Sequence, residues 1–578
     1  MSLLVASIDF GTTFSGWAYS FKHEYHNNKD NIHTKNWPAS SHISQKAPTV
    51  VLIKPDGKTL QSFGYEAESK YAELAETGDH KDWYYFRRFK MLLFDEKGVQ
   101  RNVTIEEVGG KKLNAIDVFY HAIKYIKDDL VQTIKQQLTG EEFQETDIAW
   151  VITVPAIWND AAKQFMRTAA EKAGIGKGKL TLALEPEAAS LYCRHLPVNK
   201  NVGHSDASLY SFPEGTKYMV LDAGGGTVDI TVHEIVSENT VRELHKASGG
   251  AWGGIKVDEE FEKLIDELIG PGSVDDLKRE SMEEYLDLTQ EFEIKKREID
   301  PTSEKQVSIR MPSLFRHFAM IKKRKTLAEL VTESKYSGKV GVTRDKFRLD
   351  KDISLSLFGS TTESIIDHIQ NLLEIPIISD CSAILMVGGF SESRVLQHRI
   401  KNAFSQLHII IPQDAGLAVM KGAVSFGFNP LFIGERIAKY TYGKQDTHLQ
   451  TEKCSHAPTD LRTHSDGIMC RKLFEVLVEE GSSLKIDTVV ETKPSAPIKR
   501  GQTSISKKIY ASTNPNAKLV TDQGCRKIGK MSFPVDPHLF DRGHIYTTCY
   551  KFGGTEIEVR VRNDVTGELY TSTVDFLG

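Results

Sequence analysis

An apolar run from Leu3 to Ile8 ends at Asp9-Phe10-Gly11-Thr12-Thr13, and a second apolar-rich run, Trp17 to Phe21, follows it. The same order returns far downstream, where Tyr218 to Leu221 leads into Asp222-Ala223-Gly224-Gly225-Gly226-Thr227 and Val228 to Ile235 continues. Each copy predicts a strand, an acidic Gly/Thr turn and a returning strand. A repeat this widely spaced predicts two related lobes facing each other. After each hairpin the pattern alternates between helix and strand. Ala115 to Leu138 carries Val118, Phe119, Ala122, Ile123 and Ile126 at helical spacing. Ile148 to Val154 reads as a buried strand ending at Pro155. Ala161 to Ala173 reads as an amphipathic helix capped by Asn159 or Asp160 and closed by Gly174. Asp258 to Ile269 and Ser281 to Arg297 are predicted helices, Ala383 to Val387 is a strand entering Gly388-Gly389, and Gly422 to Phe428 is a short last helix before Pro430. Such alternation predicts an α/β architecture.

Beyond about residue 432 helical periodicity fades. Short β-rich runs replace it (Ser504 to Ala511, Ile545 to Phe552, Glu556 to Val561 and Glu568 to Phe576), separated by turns such as Asn514-Pro515-Asn516 and Phe552-Gly553-Gly554. The expected division is residues 1–431 as a two-lobed unit and 432–578 as a β-rich domain. Asn199 to Gly215 reads as a surface loop inserted in the first.

Composition narrows the function classes. A length of 578 residues exceeds one hydrophobic core. With 78 acidic and 73 basic side chains the net charge is −5, which argues against nucleic acid or an anionic membrane as the main partner. No apolar run reaches membrane-spanning length, and the start has no basic segment before its apolar run, so no signal peptide or membrane insertion is expected. The end, Asp575-Phe576-Leu577-Gly578, matches no retention or lipidation signal. Six scattered cysteines without a CxxC fit reduced thiols in a cytosolic or nuclear setting. Cys454, His456, His464 and Cys470 have a spacing that fits no common structural zinc pattern and read as a polar loop between strands.

The two acidic turns carry the chemistry. Phosphate oxygens need backbone N–H donors that no side chain obstructs, which glycine provides. A Mg²⁺ ion needs oxygen ligands, commonly one or two carboxylates reached through water. An Asp at a strand end beside Gly and Thr supplies both, and two such turns can clamp a polyphosphate from opposite sides. A single turn of this kind is ordinary hairpin punctuation; two copies with the carboxylate at the same offset are much harder to obtain by chance. No G-x-x-x-x-G-K-[ST] loop is present, so the site is not of the Walker type.

These residues carry a resemblance. Asp9 to Ser15 and Leu221 to Asp229 resemble the two phosphate motifs of the actin, sugar-kinase and 70-kDa heat-shock superfamily. Thr153-Val154-Pro155-Ala156, Leu184-Glu185-Pro186-Glu187-Ala188-Ala189 and Val387-Gly388-Gly389-Phe390-Ser391-Glu392-Ser393-Arg394 resemble the heat-shock branch, in the family order over essentially all of residues 1–430. Phe89-Lys90-Met91 and the tail from Phe552-Gly553-Gly554 to Asp575-Phe576-Leu577 resemble a divergent group of that family whose C-terminal part is reduced to a β domain. The resemblance implies an actin-like, duplicated ribonuclease-H-like ATPase domain followed by a small β-rich, substrate-binding-like domain without a helical lid.

It also implies roles. Asp9, Asp222 and Asp229 would hold Mg²⁺ largely through water and help polarise the attacking water, and Asp222 and Thr227 would count with Lys90 and Glu185 as catalytic residues. Gly11, Thr12, Thr13, Phe14, Gly224, Gly225, Gly226 and Thr227 would cradle the phosphates. Lys90 would orient the γ-phosphate, where its residues alone read as a solvated lysine in a basic stretch. Glu185, at a helix start where a carboxylate ordinarily serves the helix dipole, would stand beside the hydrolytic water. Glu293, Lys296 and Arg297 share one helix face and would grip ribose and adenine rather than form a solvated charged face. Gly253, Gly254, Gly388, Gly389 and Phe390 would let backbone approach the nucleoside, and Arg394 would cover the other face of the base, though its motif carries two more residues before the Arg than the usual heat-shock form.

The expected cofactors are ATP or ADP and Mg²⁺. The leading expectation is a chaperone-related protein with slow ATP hydrolysis coupled to lobe closure and to binding of protein clients or signalling partners, as a monomer or weak oligomer. One alternative is a nucleotide-gated scaffold with little turnover. A small-molecule kinase of the same superfamily fits less well, because sugar kinases lack a β tail of this type. No lid helix or acidic tail is expected after the last strand, and the family's apolar interdomain linker is not recognisable around Asn429 to Arg436.

Overall fold

The computed structural model describes residues 2–38, 43–94, 99–138, 143–196, 209–449, 461–464, 467–492, 494–495, 502–535, 545–572 and 574–577. Two mixed sheets organise residues up to Ile410. In the first, the strands lie in the order Leu180–Leu184, Ile148–Val154, Leu4–Phe10, Phe14–Phe21, His33–Thr34. Leu4–Phe10 pairs antiparallel with Phe14–Phe21 and parallel with Ile148–Val154, with Leu4 opposite Ile148. The second sheet repeats this. His408–Ile410, Ala383–Val387, Lys217–Ala223, Val228–Ser237 and Thr240–Gly250 are ordered alike, with Tyr218 opposite Ala383 in the parallel pair. Both sheets have helices on their faces, so their parallel strands are largely apolar, and Leu4–Phe10 and Ala383–Val387 are buried at every position.

The expected helices form with small shifts. Ala115–Gln137 starts behind Asn114, whose side chain accepts from the Ile116 N–H, and buries Val118, Phe119, Ala122, Ile123, Ile126 and Leu130 along one stripe. Asn159 caps Asp160–Lys172 and Ser281 caps Met282–Arg297. Two helices start earlier than their periodicity signals: Ile255–Ile269 begins directly after Gly253-Gly254, and the last helix is Ala418–Phe428. That last helix and Glu185–Cys193 pack together in an apolar cluster that draws residues from both sheets, including Val5, Val151, Val220 and Leu385. They touch at Gly422, where a Cβ would collide with the Ala188 carbonyl. The two sheets therefore meet over one tightly packed helix pair. Among the described residues no helix is long and apolar enough to cross a membrane.

From Ile433 onward the described elements are strands. Ser504–Ser512, Tyr546–Phe552 and Glu558–Asn563 appear near their expected places, Cys525–Pro534 is a further strand not among the expected runs, and the final run forms a strand only over Leu569–Ser572. Two sheets built from these strands share a cluster containing Ile509, Met531, Phe533, Tyr546, Tyr550 and Val559. The break at 432 is not clean. Ile433–Ile437 pairs parallel with Thr240–Gly250, and Ser483–Lys485 pairs with Ile433–Ile437, so both extend the second lobe's sheet. The chain's last described residues return to the first lobe: Leu577 lies in its core, the Arg101 N–H donates to the Leu577 carbonyl (3.2 Å), and Gln164 bonds Val574 and Phe576. Of the expected surface loop, residues 197–208 lie outside the described residues, and Leu209 is buried, its carbonyl accepting from Arg194.

At the junction Arg436 is buried and pairs bidentately with Glu187 (2.7 Å to each oxygen), while its Nη1 donates to the Gly553 carbonyl (2.5 Å). Glu243 lies alongside and accepts from the Ile437 N–H (2.8 Å). One guanidinium cannot neutralise two buried carboxylates. Burial, with Glu187 adding to it, pushes the Glu243 carboxyl up to about 8. A carboxyl raised on folding stabilises the fold below its ordinary pKa of 4.5, and that contribution is lost as pH rises through about 8. Glu243→Gln keeps an acceptor for Ile437 and cannot ionise. Its stability relative to wild type is expected to improve as pH rises from 5.5 to 8, by at most ~1.4 kcal/mol per pH unit. Urea unfolding at the two pH values checks this, and parallel curves would show that Glu243 does not change ionisation on folding.

Candidate functional site

The two acidic turns face each other across a cleft of about 390 Å³, within the ~300–1,000 Å³ span of small-molecule sites. Asp9, Gly11, Thr12, Thr13 and Phe14 line it from the first lobe, and Asp222, Gly224, Gly225, Gly226 and Thr227 from the second. The first turn is pinned locally. The Gly11 N–H donates to Ser15 Oγ (3.1 Å), Thr49 Oγ1 donates to the Gly11 carbonyl (2.8 Å), and the Thr49 N–H donates to the Thr13 carbonyl (2.8 Å). The second turn is strapped to Gly253-Gly254. The Gly253, Gly254 and Ile255 N–H groups donate to the carbonyls of Gly226, Gly224 and Gly225 at 3.2, 3.1 and 2.8 Å. A Cβ on Gly253 would stand 2.5 Å from the Gly225 carbonyl oxygen, so only glycine fits this strap. Gly388, with φ +86°, has the same requirement, because a Cβ there would strike Asp222 Oδ1 and the Ala223 carbonyl.

The charged groups converge. Lys90 is 3 % exposed, and its Nζ lies 2.7 Å from Glu185 Oε1 and 5.1 Å from the Trp158 ring centroid. Burial pushes the Glu185 carboxyl up to about 7 against the pull of Lys90, and Asp9 and Asp229 add to the rise. Burial, then Glu185, Asp229 and Asp9, push Asp222 well above the usual carboxylate range. Asp229 is raised by burial, against the Ile157 N–H that donates to its Oδ1 (2.9 Å) and against Lys90. It also accepts from Thr227 Oγ1 (3.2 Å). Asp9 accepts from Thr153 Oγ1 (2.8 Å) and pairs with Lys46 Nζ (2.6 Å).

This donor set fits a hydrated divalent cation. Four carboxylates (Asp9, Glu185, Asp222 and Asp229) stand with Lys46 and Lys90, and Asp222 lines the cleft with no protein hydrogen-bond donor among the described residues. Among those residues no three His, Cys, Asp or Glu side chains converge closely enough to ligate an ion directly. Coordination would run through water, as is usual for Mg²⁺. Cys454 and His456 lie outside the described residues, and His464 and Cys470 lie on the strands Leu461–His464 and Gly467–Val478.

At the far end of the cleft Glu293, Lys296 and Arg297 are all lining residues. Glu293 pairs with Lys296 (2.5 Å) and Arg297 (2.6 Å), and the Arg297 guanidinium lies 5.1 Å over the Phe14 ring. Asp258 joins Lys296 (2.6 Å) to Arg88 (2.6 Å), which ties this helix to the strand end just before Lys90. Gly254, Gly388, Gly389 and Phe390 line the same end, whereas Gly253 and Asp229 sit behind the lining. Arg394 is not brought to the cleft. It is 68 % exposed on its side chain and pairs with Asp300 (2.7 Å), while Glu392 and Ser393 from its loop face the cleft instead. The two extra residues in that motif shift which side chain faces inward.

Lys46, Trp158 and the Ile157 N–H were not marked by any motif. Lys46 sits on a loop that reaches the cleft only through tertiary packing, whereas Ile157 and Trp158 follow Pro155-Ala156 and touch Asp229 and Lys90 from behind the lining.

Comparison with known proteins agrees with this geometry. The chain matches the family model described as "Hsp70 protein" over residues 94–425, which covers Glu185, the second acidic turn and the Glu293 helix. It is 32 % identical to heat shock 70 kDa protein 12A of Homo sapiens over 627 aligned positions, spanning 100 % of this chain and 92 % of that protein. It is 31 % identical to heat shock 70 kDa protein 12B of Homo sapiens, spanning 99 % and 91 %. The chaperone protein DnaK of Mycoplasmoides gallisepticum is 25 % identical, over 54 % of this chain and 43 % of that one.

Proposed function

The chain belongs to the Hsp70 protein family, and from that premise we propose that it binds Mg·ATP and Mg·ADP between its lobes and hydrolyses ATP slowly, using lobe closure to regulate binding of protein partners by its C-terminal strands. The observation that carries this reading is the pair of Asp-Gly turns facing each other across one cleft with the Lys90–Glu185 pair beside them. Backbone N–H groups of the two turns would hold the β- and γ-phosphates, and Asp9, Asp222 and Asp229 would hold the waters of Mg²⁺, whose charge would offset that of the phosphates when bound. Lys90 would orient the γ-phosphate. Glu185, with a carboxyl raised to about 7, is poised to accept a proton from a water near neutral pH. Positioning and charge stabilisation are what phosphoryl transfer requires.

Residues 1–431 would form the nucleotide unit and the following strands the partner-facing unit. The parallel pairing of Ile433–Ile437 with Thr240–Gly250 supports a mechanical link between them. The same link favours a second reading, in which ATP acts as a conformational ligand with negligible turnover. Multiple turnover stimulated by an unfolded peptide would exclude it.

Calorimetric titration with Mg·ATP and Mg·ADP tests the proposal, and absence of saturable binding by either would end it. Arg297→Ala is expected to weaken both nucleotides about five- to thirtyfold, the equivalent of ~1–2 kcal/mol of lost cation–π and ionic contact. Tripolyphosphate binding should be unchanged, because Arg297 stands at the nucleoside end.

A further inference from the structure

Lys46 has no role in the nucleotide reading given above, yet it stands inside the phosphate cleft. Its side chain is 16 % exposed, and its Nζ touches both walls: 2.6 Å from Asp9 Oδ2 on one side and 2.6 Å from the Gly416 carbonyl on the other. The backbone that carries it is fixed beside the first acidic turn. Ala47–Pro48 pairs with Phe14–Phe21, placing Pro48 opposite Phe14 and Ala47 opposite Ser15. The lysine is therefore built into the site rather than reaching into it from a mobile surface.

Two consequences follow from chemistry. With Thr153 Oγ1 on Oδ1 and Lys46 on Oδ2, both oxygens of Asp9 are engaged by the protein itself. An ammonium carries three donors, and Asp9 and Gly416 take two, which leaves one for a phosphate oxygen. A fixed positive charge at this point offsets Asp9, and its remaining N–H donor is free for a charge-assisted bond to a phosphate oxygen.

We propose that Lys46 is a resident phosphate-site cation that lowers the dependence of adenine-nucleotide binding on Mg²⁺. The inference rests on the nucleotide reading of the cleft. It gives Lys46 a role in ligand binding and leaves the hydrolytic roles of Lys90 and Glu185 unaltered.

The experiment measures ADP affinity of the full chain in excess Mg²⁺ and in excess EDTA, for wild type, Lys46→Met and Lys46→Arg. Wild type is expected to lose less than about tenfold in affinity when Mg²⁺ is removed. Lys46→Met should weaken binding in EDTA by about ten- to hundredfold more than it does in Mg²⁺, the scale of one charge-assisted hydrogen bond. Lys46→Arg should recover most of the EDTA binding. The same Mg²⁺-to-EDTA ratio in wild type and Lys46→Met overturns the proposal. So does an equal loss in both conditions, which would mean that Lys46 only holds its loop in place. No ADP binding by wild type in Mg²⁺ would instead overturn the nucleotide reading itself, and this inference with it.

Discussion

Lys90→Ala is expected to slow single-turnover hydrolysis of ATP about 10²- to 10³-fold, the usual cost of removing one preorganised charge-stabilising donor. Two effects combine. The variant lacks the buried ammonium that would face the γ-phosphate. It also leaves Glu185 without the cation 2.7 Å away that holds its carboxyl down. In wild type the hydrolysis rate should rise with pH through about 7, as Glu185 loses its proton and becomes able to accept one from water. In the variant that inflection should move to higher pH. Rapid-quench measurements at several pH values read both effects, and nucleotide affinity measured in parallel separates chemistry from binding. Equal rates in the two proteins would remove Lys90 from the mechanism.

The second large effect belongs to stability. Glu187→Ala is expected to cost about 3–5 kcal/mol, because it strands the buried Arg436 guanidinium. The neighbouring Glu243, raised to about 8 in wild type, would then be drawn to ionise and partner Arg436. The loss should therefore be smaller in Glu187→Ala than in Glu187→Ala/Glu243→Gln. Replacing both partners, as Glu187→Leu/Arg436→Met, should recover most of the stability, since no charge is left buried. Urea midpoints of the four proteins give the comparison. A Glu187→Leu/Arg436→Met protein no more stable than Glu187→Ala would mean that shape, and not charge, sets the cost. The pair matters beyond stability, because Glu187 lies two residues after Glu185 on one helix and Arg436 lies on the strand leading to the C-terminal sheets.

What the sequence disclosed follows from how local each signal is. The acidic turns around Asp9 and Asp222 were readable because strand, carboxylate and glycine are adjacent along the chain. The duplicated strand order then bears out the inference of two related lobes. Glu293, Lys296 and Arg297 were readable as one face because helical spacing is local, though only the fold shows that this face lines the cleft rather than facing solvent. Lys46 could not be found this way. Its partners Asp9 and Gly416 are 37 and 370 residues away, and no spacing rule spans such gaps. The segment around Arg436 was misleading for a different reason. It carries no recognisable linker signal, and the structure holds it with a parallel strand pairing and a buried ion pair, neither of which needs an apolar sequence. Arg394 shows the limit of motif matching, since a two-residue difference is enough to turn its side chain to Asp300.

Leu577 in the first lobe's core has a consequence for biosynthesis. The strands and helices of that lobe are translated early, down to Leu184, yet the slot for Leu577 and the face covered by Ala418–Phe428 stay open until much later. At ~5–20 residues per second, the ribosome leaves this half-finished lobe waiting for tens of seconds with apolar surface uncovered. The nascent chain thus presents this apolar surface to solvent until its own C-terminal segments arrive to cover it.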